Sequence, residues 1–243
     1  MLYSRLSSLS VFPASATVRR ATVGLMALSR LLSACEAPAP PRLRTLGNTD
    51  MVAGPNGRVD TVWAPIPQFS LTDQLGRPFT NATVRGKIVV ADFFFASCPT
   101  ICPVVKKEEL RLWEKYKADP RVVFVSHTID PRHDSVAVLR DYADRLGVAG
   151  SNWYFVTGPK DTIYALAQRY LVAAQATPGV GGGFTHSGAL ALVDPRGHLR
   201  ASFSAGSDSI APAPVYDGTR AADVDRLIGD VGRLLAEEFP SRK

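Results

Sequence analysis

A near-continuous apolar run, KIVVADFFF over residues 87–95, leads straight into a cysteine pair, and this junction constrains the fold more than any other stretch. A run of β-branched and aromatic residues with almost no polar alternation reads as a strand buried on both faces. A strand of that kind needs helices or loops on both sides of its sheet, which points to a layered α/β domain. The pair follows as FFFASCPTICP, with Cys98 and Cys102 four positions apart and each directly before a proline. Proline disfavours the α region in the residue preceding it, so a distorted turn is expected, with the helix proper starting near Pro103. Such a turn accepts both a bridged and an open form. A structural bridge, a redox couple and one end of a metal site all remain open on these residues.

The rest of the chain alternates strand and helix. FSLTDQLGRPFT reads as two short strands about a glycine turn, and RVVFVSH (121–127) as a second buried strand. Asp134 is placed to cap a helix whose stripe is Val136, Leu139, Ala143 and Leu146, stopped by Gly147. WYFVTG is a strand, DTIYALAQRYL a helix, and QATPGVGGGFTHS a loose loop. ALALVDP and HLRASFS form two strands about a Pro-Arg-Gly turn, and a final helix carries Val224, Leu227, Ile228, Val231, Leu234 and Leu235 on one face. The expected architecture is a mixed central sheet flanked by helices, with an N-terminal β-hairpin extension, over residues 66–239. The cysteine pair stands just after a central strand and at the mouth of the next helix, which is the thioredoxin arrangement. Carboxyl ends of strands are where open α/β sheets gather ligands.

Charge is informative mainly through its distribution. Residues 1–34 hold Arg5, Arg19, Arg20 and Arg30 and no acidic residue, so the formal +6 falls to +2 without them. Nothing in that remainder forms a basic block, and nucleic acid is not expected as a partner. Arg19 and Arg20 precede the apolar run ATVGLMALS, and Leu32-Ser33-Ala34-Cys35 follows. This is the layout of an export signal, and the tetrapeptide resembles the lipobox of bacterial lipoproteins, in which Cys35 becomes the lipidated first residue. Arg30 interrupts the apolar core, which is too short for an ordinary transmembrane helix. The expectation is an export signal over 1–34, a Pro- and Gly-rich tether over 35–65, and a domain held at the bacterial cell membrane facing the periplasm. With Cys35 lipidated, the three cysteines reduce to one pair in an oxidising compartment.

Two thiolates alone make an incomplete metal site, so a further ligand is sought among four histidines. His198 reads as an exposed hairpin residue, His133 as a surface loop residue and His127 as a hydrogen-bonded structural residue ending a buried strand. His186 differs, because it closes a glycine-rich loop just before a strand, where thioredoxin-like folds bring a loop beside the redox pair.

FFFASCPTICP, SHTIDPRHD, WYFVTG and THSGALALVDPRG, in that order, resemble the Sco/SenC family of copper-assembly proteins; the likeness runs from about Phe69 to Gly206. The resemblance implies a thioredoxin-like fold that binds one copper ion, Cu(I) or Cu(II), through Cys98, Cys102 and His186. It further implies a role in maturing the CuA site of cytochrome c oxidase, with that subunit, and another copper carrier or thiol reductant, as partners. Asp130 and Asp134 match acidic positions near the family's site; Asp130 stands between a role beside the ligands and a turn role. The rival reading is a thiol–disulfide reductase, with Cys98 as the more exposed attacking thiolate, keeping the acceptor's cysteines reduced. A peroxidase of the peroxiredoxin type lacks its Pro and Thr, since Ala91 and Phe95 fill those places. A permanent staple closing so short a loop adds little to a domain with a full core.

Overall fold

The computed structural model describes residues 42–177, 184–202 and 216–240. The export leader, Cys35 and the Gly181–Gly183 run lie outside these residues. In chain order the elements are β1 (Arg44–Leu46), β2 (Thr49–Ala53), β3 (Val59–Trp63), β4 (Ser70–Asp73), β5 (Pro78–Thr80) and α1 (Asn81–Val84). Then come β6 (Ile88–Phe94), α2 (Ile101–Tyr116), β7 (Val122–Thr128), α3 (Val136–Leu146), β8 (Trp153–Thr157) and α4 (Lys160–Arg169). The chain closes with β9 (Ala174–Ala176), β10 (Phe184–His186), β11 (Ala189–Val193), β12 (Leu199–Ala201), β13 (Tyr216–Asp217) and α5 (Ala221–Glu238).

The sheet has the order β1-β12-β11-β6-β7-β8-β4-β5, with β13 against β11. Strands β6, β7 and β8 are parallel, as helical crossovers require, and the other neighbours, the hairpins β4–β5 and β11–β12 and the distant pairs β11–β6 and β4–β8, are antiparallel. Every residue of β6 and β7 is buried. Alternation along β6 divides its side chains between two cores. Ile88, Val90 and Phe94 pack with Leu112, Leu139 and Leu227 of α2, α3 and α5, whereas Val89, Ala91 and Phe93 pack with Phe69, Ile163 and Leu166. This is the predicted mixed sheet between helices.

Four local readings change. The span taken as tether contains β1, which pairs with β12, and Leu43, which is buried in the core. It also contains β2 and β3, paired with each other. Strands of three to five residues hold too few periods to stand out from a Pro- and Gly-rich background. Helix α3 is capped by Ser135, whose hydroxyl accepts from Val138 N–H at 3.4 Å, and not by Asp134. Asp134 is fully buried and faces the cysteine loop. Part of the supposed loose loop is the ribbon β9–β10. His198 is half-buried, with Nδ1 3.6 Å from Asp194 Oδ1, because the Asp194 carboxylate organises the turn by accepting from Arg196 N–H and His198 N–H.

Candidate metal centre

The site is assembled at the carboxyl end of β6. Phe95 to Thr100 form a turn, and α2 begins at Ile101, two residues before the predicted start. Pro103 is then the third helical residue, where a missing N–H breaks no intrahelical bond. Cys98 lies in the turn and is half-buried; Cys102 lies in the first helical turn and is buried. The first amides of a helix lack backbone partners, and one of them, Cys102 N–H, reaches Cys98 Sγ at 3.4 Å. The two sulfurs are free thiols.

Their environments are opposite. Burial works against the Cys98 thiolate, but hydrogen bonds from Cys102 and Thr100 outweigh it and hold the thiol below the usual range. Burial pushes the Cys102 thiol well up, and the neighbouring Cys98 adds to the shift. Of the two, Cys98 is the thiol whose ionisation is favoured and Cys102 the one that is held protonated.

His186 closes the triangle. It ends β10, which is paired with β9 so that His186 stands opposite Ala174. Its Nε2 is 3.1 Å from Cys102 Sγ, and its Nδ1 is 3.1 Å from the Ser187 carbonyl. A carbonyl only accepts, so Nδ1 carries the proton and Nε2 presents its lone pair to the sulfurs. Burial pulls the imidazole below its ordinary range, which keeps the ring neutral. Phe95 meets it edge-on, with ring centroids 5.9 Å apart. The ligand atoms of Cys98, Cys102 and His186 all lie within 4.8 Å of one another, and they form a group able to hold a metal ion. Two soft sulfurs and one imidazole, with no carboxylate among them, are a donor set suited to copper.

Three features support these ligands; of the residues involved, only Asp134 was placed near the site by the family resemblance. Asp134 accepts from Ala96 N–H at 3.0 Å and from the Thr128 hydroxyl, tying the cysteine turn to the end of β7. Gly188 lets the chain after His186 lie against α2: a Cβ there would come within 2.9 Å of Thr219, 3.0 Å of Val105 and 3.2 Å of Ile101. Lys106, one turn beyond Cys102, is buried and bonds Asp92 at 2.7 Å, Glu109 at 2.8 Å and Ser126 at 2.7 Å. Its ammonium partly opposes the upward shift of the Cys102 thiol. Burial raises Glu109 to about 8, with Asp92 adding to the shift.

The remaining candidates lie elsewhere. His127 is buried, stacked on Phe93, with Nδ1 3.2 Å from the Asp92 carbonyl. His133 is exposed beside Asp134. The Asp130 carbonyl accepts from His133 and Asp134 N–H groups, which places the residue in the turn between β7 and α3. Its carboxylate makes no hydrogen bond to Cys98, Cys102 or His186 among the described residues.

With this geometry established, comparison with known families matches residues 63–215, more than half of the chain, to SCO1/SenC. The chain belongs to the SCO1/SenC family. A crystal structure of a SCO1/SenC family lipoprotein from Bacillus anthracis is similar at 26% identity and TM-score 0.56, covering 71% of this chain and 95% of that one. Yeast Sco1 with copper bound is similar at 26% identity and TM-score 0.51, covering 74% and 96%. BsSco, described as a member of the Sco family of cytochrome c oxidase assembly proteins, shares the fold at 24% identity and TM-score 0.58, covering 71% and 94%. The thioredoxin-like architecture expected from the sequence is therefore the architecture of SCO1/SenC proteins. Among the described residues, no helix is long and apolar enough to cross a membrane.

Proposed function

We propose that this chain is a membrane-anchored copper carrier that binds one copper ion through Cys98, Cys102 and His186. It hands that ion to the CuA site of cytochrome c oxidase. The observation that carries the reading is the convergence of two soft sulfurs and one imidazole nitrogen within 4.8 Å. The imidazole is already in the tautomer that leaves Nε2 free to ligate. Three ligands leave copper open to an incoming cysteine or histidine of the acceptor, so transfer proceeds by ligand exchange. Membership of a family with a copper-bound yeast member and a lipoprotein member supports the cargo and the anchor. In this reading residues 1–34 are an export signal, Cys35 carries the lipid, and the domain faces the periplasm. Oxidation of Cys98 and Cys102 to a disulfide removes both sulfur ligands and gives redox control of loading. The test is copper titration of the reduced protein beside its Cys98→Ala, Cys102→Ala and His186→Ala variants. One equivalent bound by wild type and weak binding by all three variants support the reading; undiminished binding by His186→Ala overturns it.

A second reading, thiol–disulfide reductase toward the acceptor's copper-ligand cysteines, is favoured by the asymmetry of the pair. A half-exposed thiol with a lowered pKa beside a buried one with a raised pKa is the arrangement for attack followed by resolution. Reduction of an acceptor disulfide by His186→Ala at the wild-type rate, without copper, would establish it as an independent activity.

A further inference from the structure

The ribbon β2–β3 departs from the rest of the chain in its exposure. All ten of its strand residues are exposed, Met51 by 77% and Trp63 by 44%. Its register sorts them by character. Thr49, Met51 and Ala53 stand opposite Trp63, Thr61 and Val59, and alternate residues share a face, so that side is free of charge. Asp50 and Asp60, opposite Val62 and Val52, put both carboxylates on the other side. The ribbon therefore offers solvent one exposed face that carries Met51, Val59 and Trp63 and no charge.

Cations surround the base of the ribbon. It is pinned by Ala64 N–H to the Asn48 carbonyl at 2.9 Å and by Ile66 N–H to the Gly197 carbonyl at 2.8 Å. Arg169 lines the cleft at that base with Leu46, Asn48 and Ile66, and Arg85 lines the adjoining cavity with Pro65 and Ile66. Arg58 follows the turn at the far tip and, by the same alternation, lies on the side of Asp60. The side chains of Arg58, Arg85 and Arg169 have no hydrogen-bond or ion-pair partner among the described residues.

Topology fixes which end of the domain this is. β11 is antiparallel to β6, β12 to β11 and β1 to β12, so β1 runs opposite to β6. The ribbon leaves from the far end of β1, and the cysteine turn leaves from the carboxyl end of β6. The ribbon and the copper site are therefore at opposite ends of the sheet. Seven residues lie between Cys35 and the core residue Leu43, and these eight steps reach about 26–29 Å when extended.

We propose that the uncharged face of the β2–β3 ribbon, with Arg85 and Arg169 at its base, docks on the surface of an anionic phospholipid bilayer. Met51, Val59 and Trp63 enter the headgroup boundary, where tryptophan partitions well. The arginines meet lipid phosphates. The copper site is then held at the end of the domain facing away from lipid, open to an acceptor. A second copy of the chain fits this surface less well, because it would bring like charges together. The proposal rests on the Cys35 anchor only for a tether, joined at the start of β1, long enough to let the ribbon reach the membrane; the face itself binds lipid without it.

The test uses the full chain carrying Cys35→Ser, so that no lipid is attached, and vesicles of equal parts phosphatidylglycerol and phosphatidylcholine with brominated acyl chains. The chain has three tryptophans, and Trp113 and Trp153 are buried, so quenching reports Trp63. Trp63 is expected to be quenched. Met51→Thr with Val59→Thr, which keeps strand propensity, should weaken this about tenfold or more, whereas Val52→Thr with Val62→Thr on the acidic side should not. Arg85→Glu with Arg169→Glu should abolish the preference for anionic over neutral vesicles. Absence of quenching, equal effects of the two threonine pairs, or concentration-dependent dimerisation that buries Trp63 without lipid would each overturn the proposal. A wild-type chain whose mass shows no lipid on Cys35 would remove the anchor reading and leave the Trp63 result standing.

Discussion

At the residue scale the site works by making two cysteines unequal. Cys98 is half-exposed with its thiol held down by hydrogen bonds, and Cys102 is buried with its thiol pushed up. Iodoacetamide at neutral pH should therefore modify Cys98 at least about tenfold faster than Cys102 in the metal-free protein. Peptide mass mapping reads the ratio, and equal rates would contradict the assignment. A second titratable group tests the core. Burial lowers His127 to about 4, against an ordinary value of 6.5. Between those values the unfolded chain binds the extra proton, so stability is lost as pH falls from 6.5 through 4, by about 3 kcal/mol at most. Urea midpoints of wild type minus His127→Phe, taken at each pH, should isolate this limb; a flat difference would contradict it. Glu109 contributes an opposite limb, lost as pH rises through about 8, and it cancels in that difference. Cys98, Cys102 and His186 could be picked out in the sequence by residue type, spacing and family resemblance. The resemblance placed Asp134 near the site but not its role, because its cap-like position before α3 is the same whether its side chain turns toward the helix or toward Ala96.

At the element scale, what counts is how closely the strand after His186 approaches α2. Gly188 permits that approach, and its N- and C-terminal neighbours bring His186 and β11 with it. Gly188→Ala should weaken copper binding and lower stability by about 1–3 kcal/mol, because a methyl group has no room between Val105, Ile101 and Thr219. Gly229→Ala in α5, where a Cβ meets nothing within 4 Å, should leave copper binding alone and stabilise by about 0.5–1 kcal/mol. Calorimetry with a parallel copper titration checks both, and identical behaviour of the two variants would contradict the packing argument. β6 and β7 were legible as long continuous apolar runs, and α5 because it repeats its helical period several times. β1, β9 and β10 were not, since three residues hold no full pattern and their pairing is decided by partners far away in sequence.

At the scale of the whole molecule, the parallel centre of the sheet fixes where the chemistry can occur, and antiparallel strands extend it on both sides. The order of buried strands in the sequence was enough to give the mixed sheet and its active end. It could not give the ribbon β2–β3 or its position opposite the site, because these follow from the strand order β1-β12-β11-β6. The central claim is that one copper ion is held by two sulfurs and one imidazole. X-ray absorption of the reduced full chain loaded with one equivalent of Cu(I) tests it most directly. The account predicts a three-coordinate ion with two sulfur neighbours and one nitrogen, and loss of the nitrogen shell in His186→Ala. Two-coordinate sulfur-only copper in the wild type, with a spectrum unchanged by His186→Ala, would contradict it.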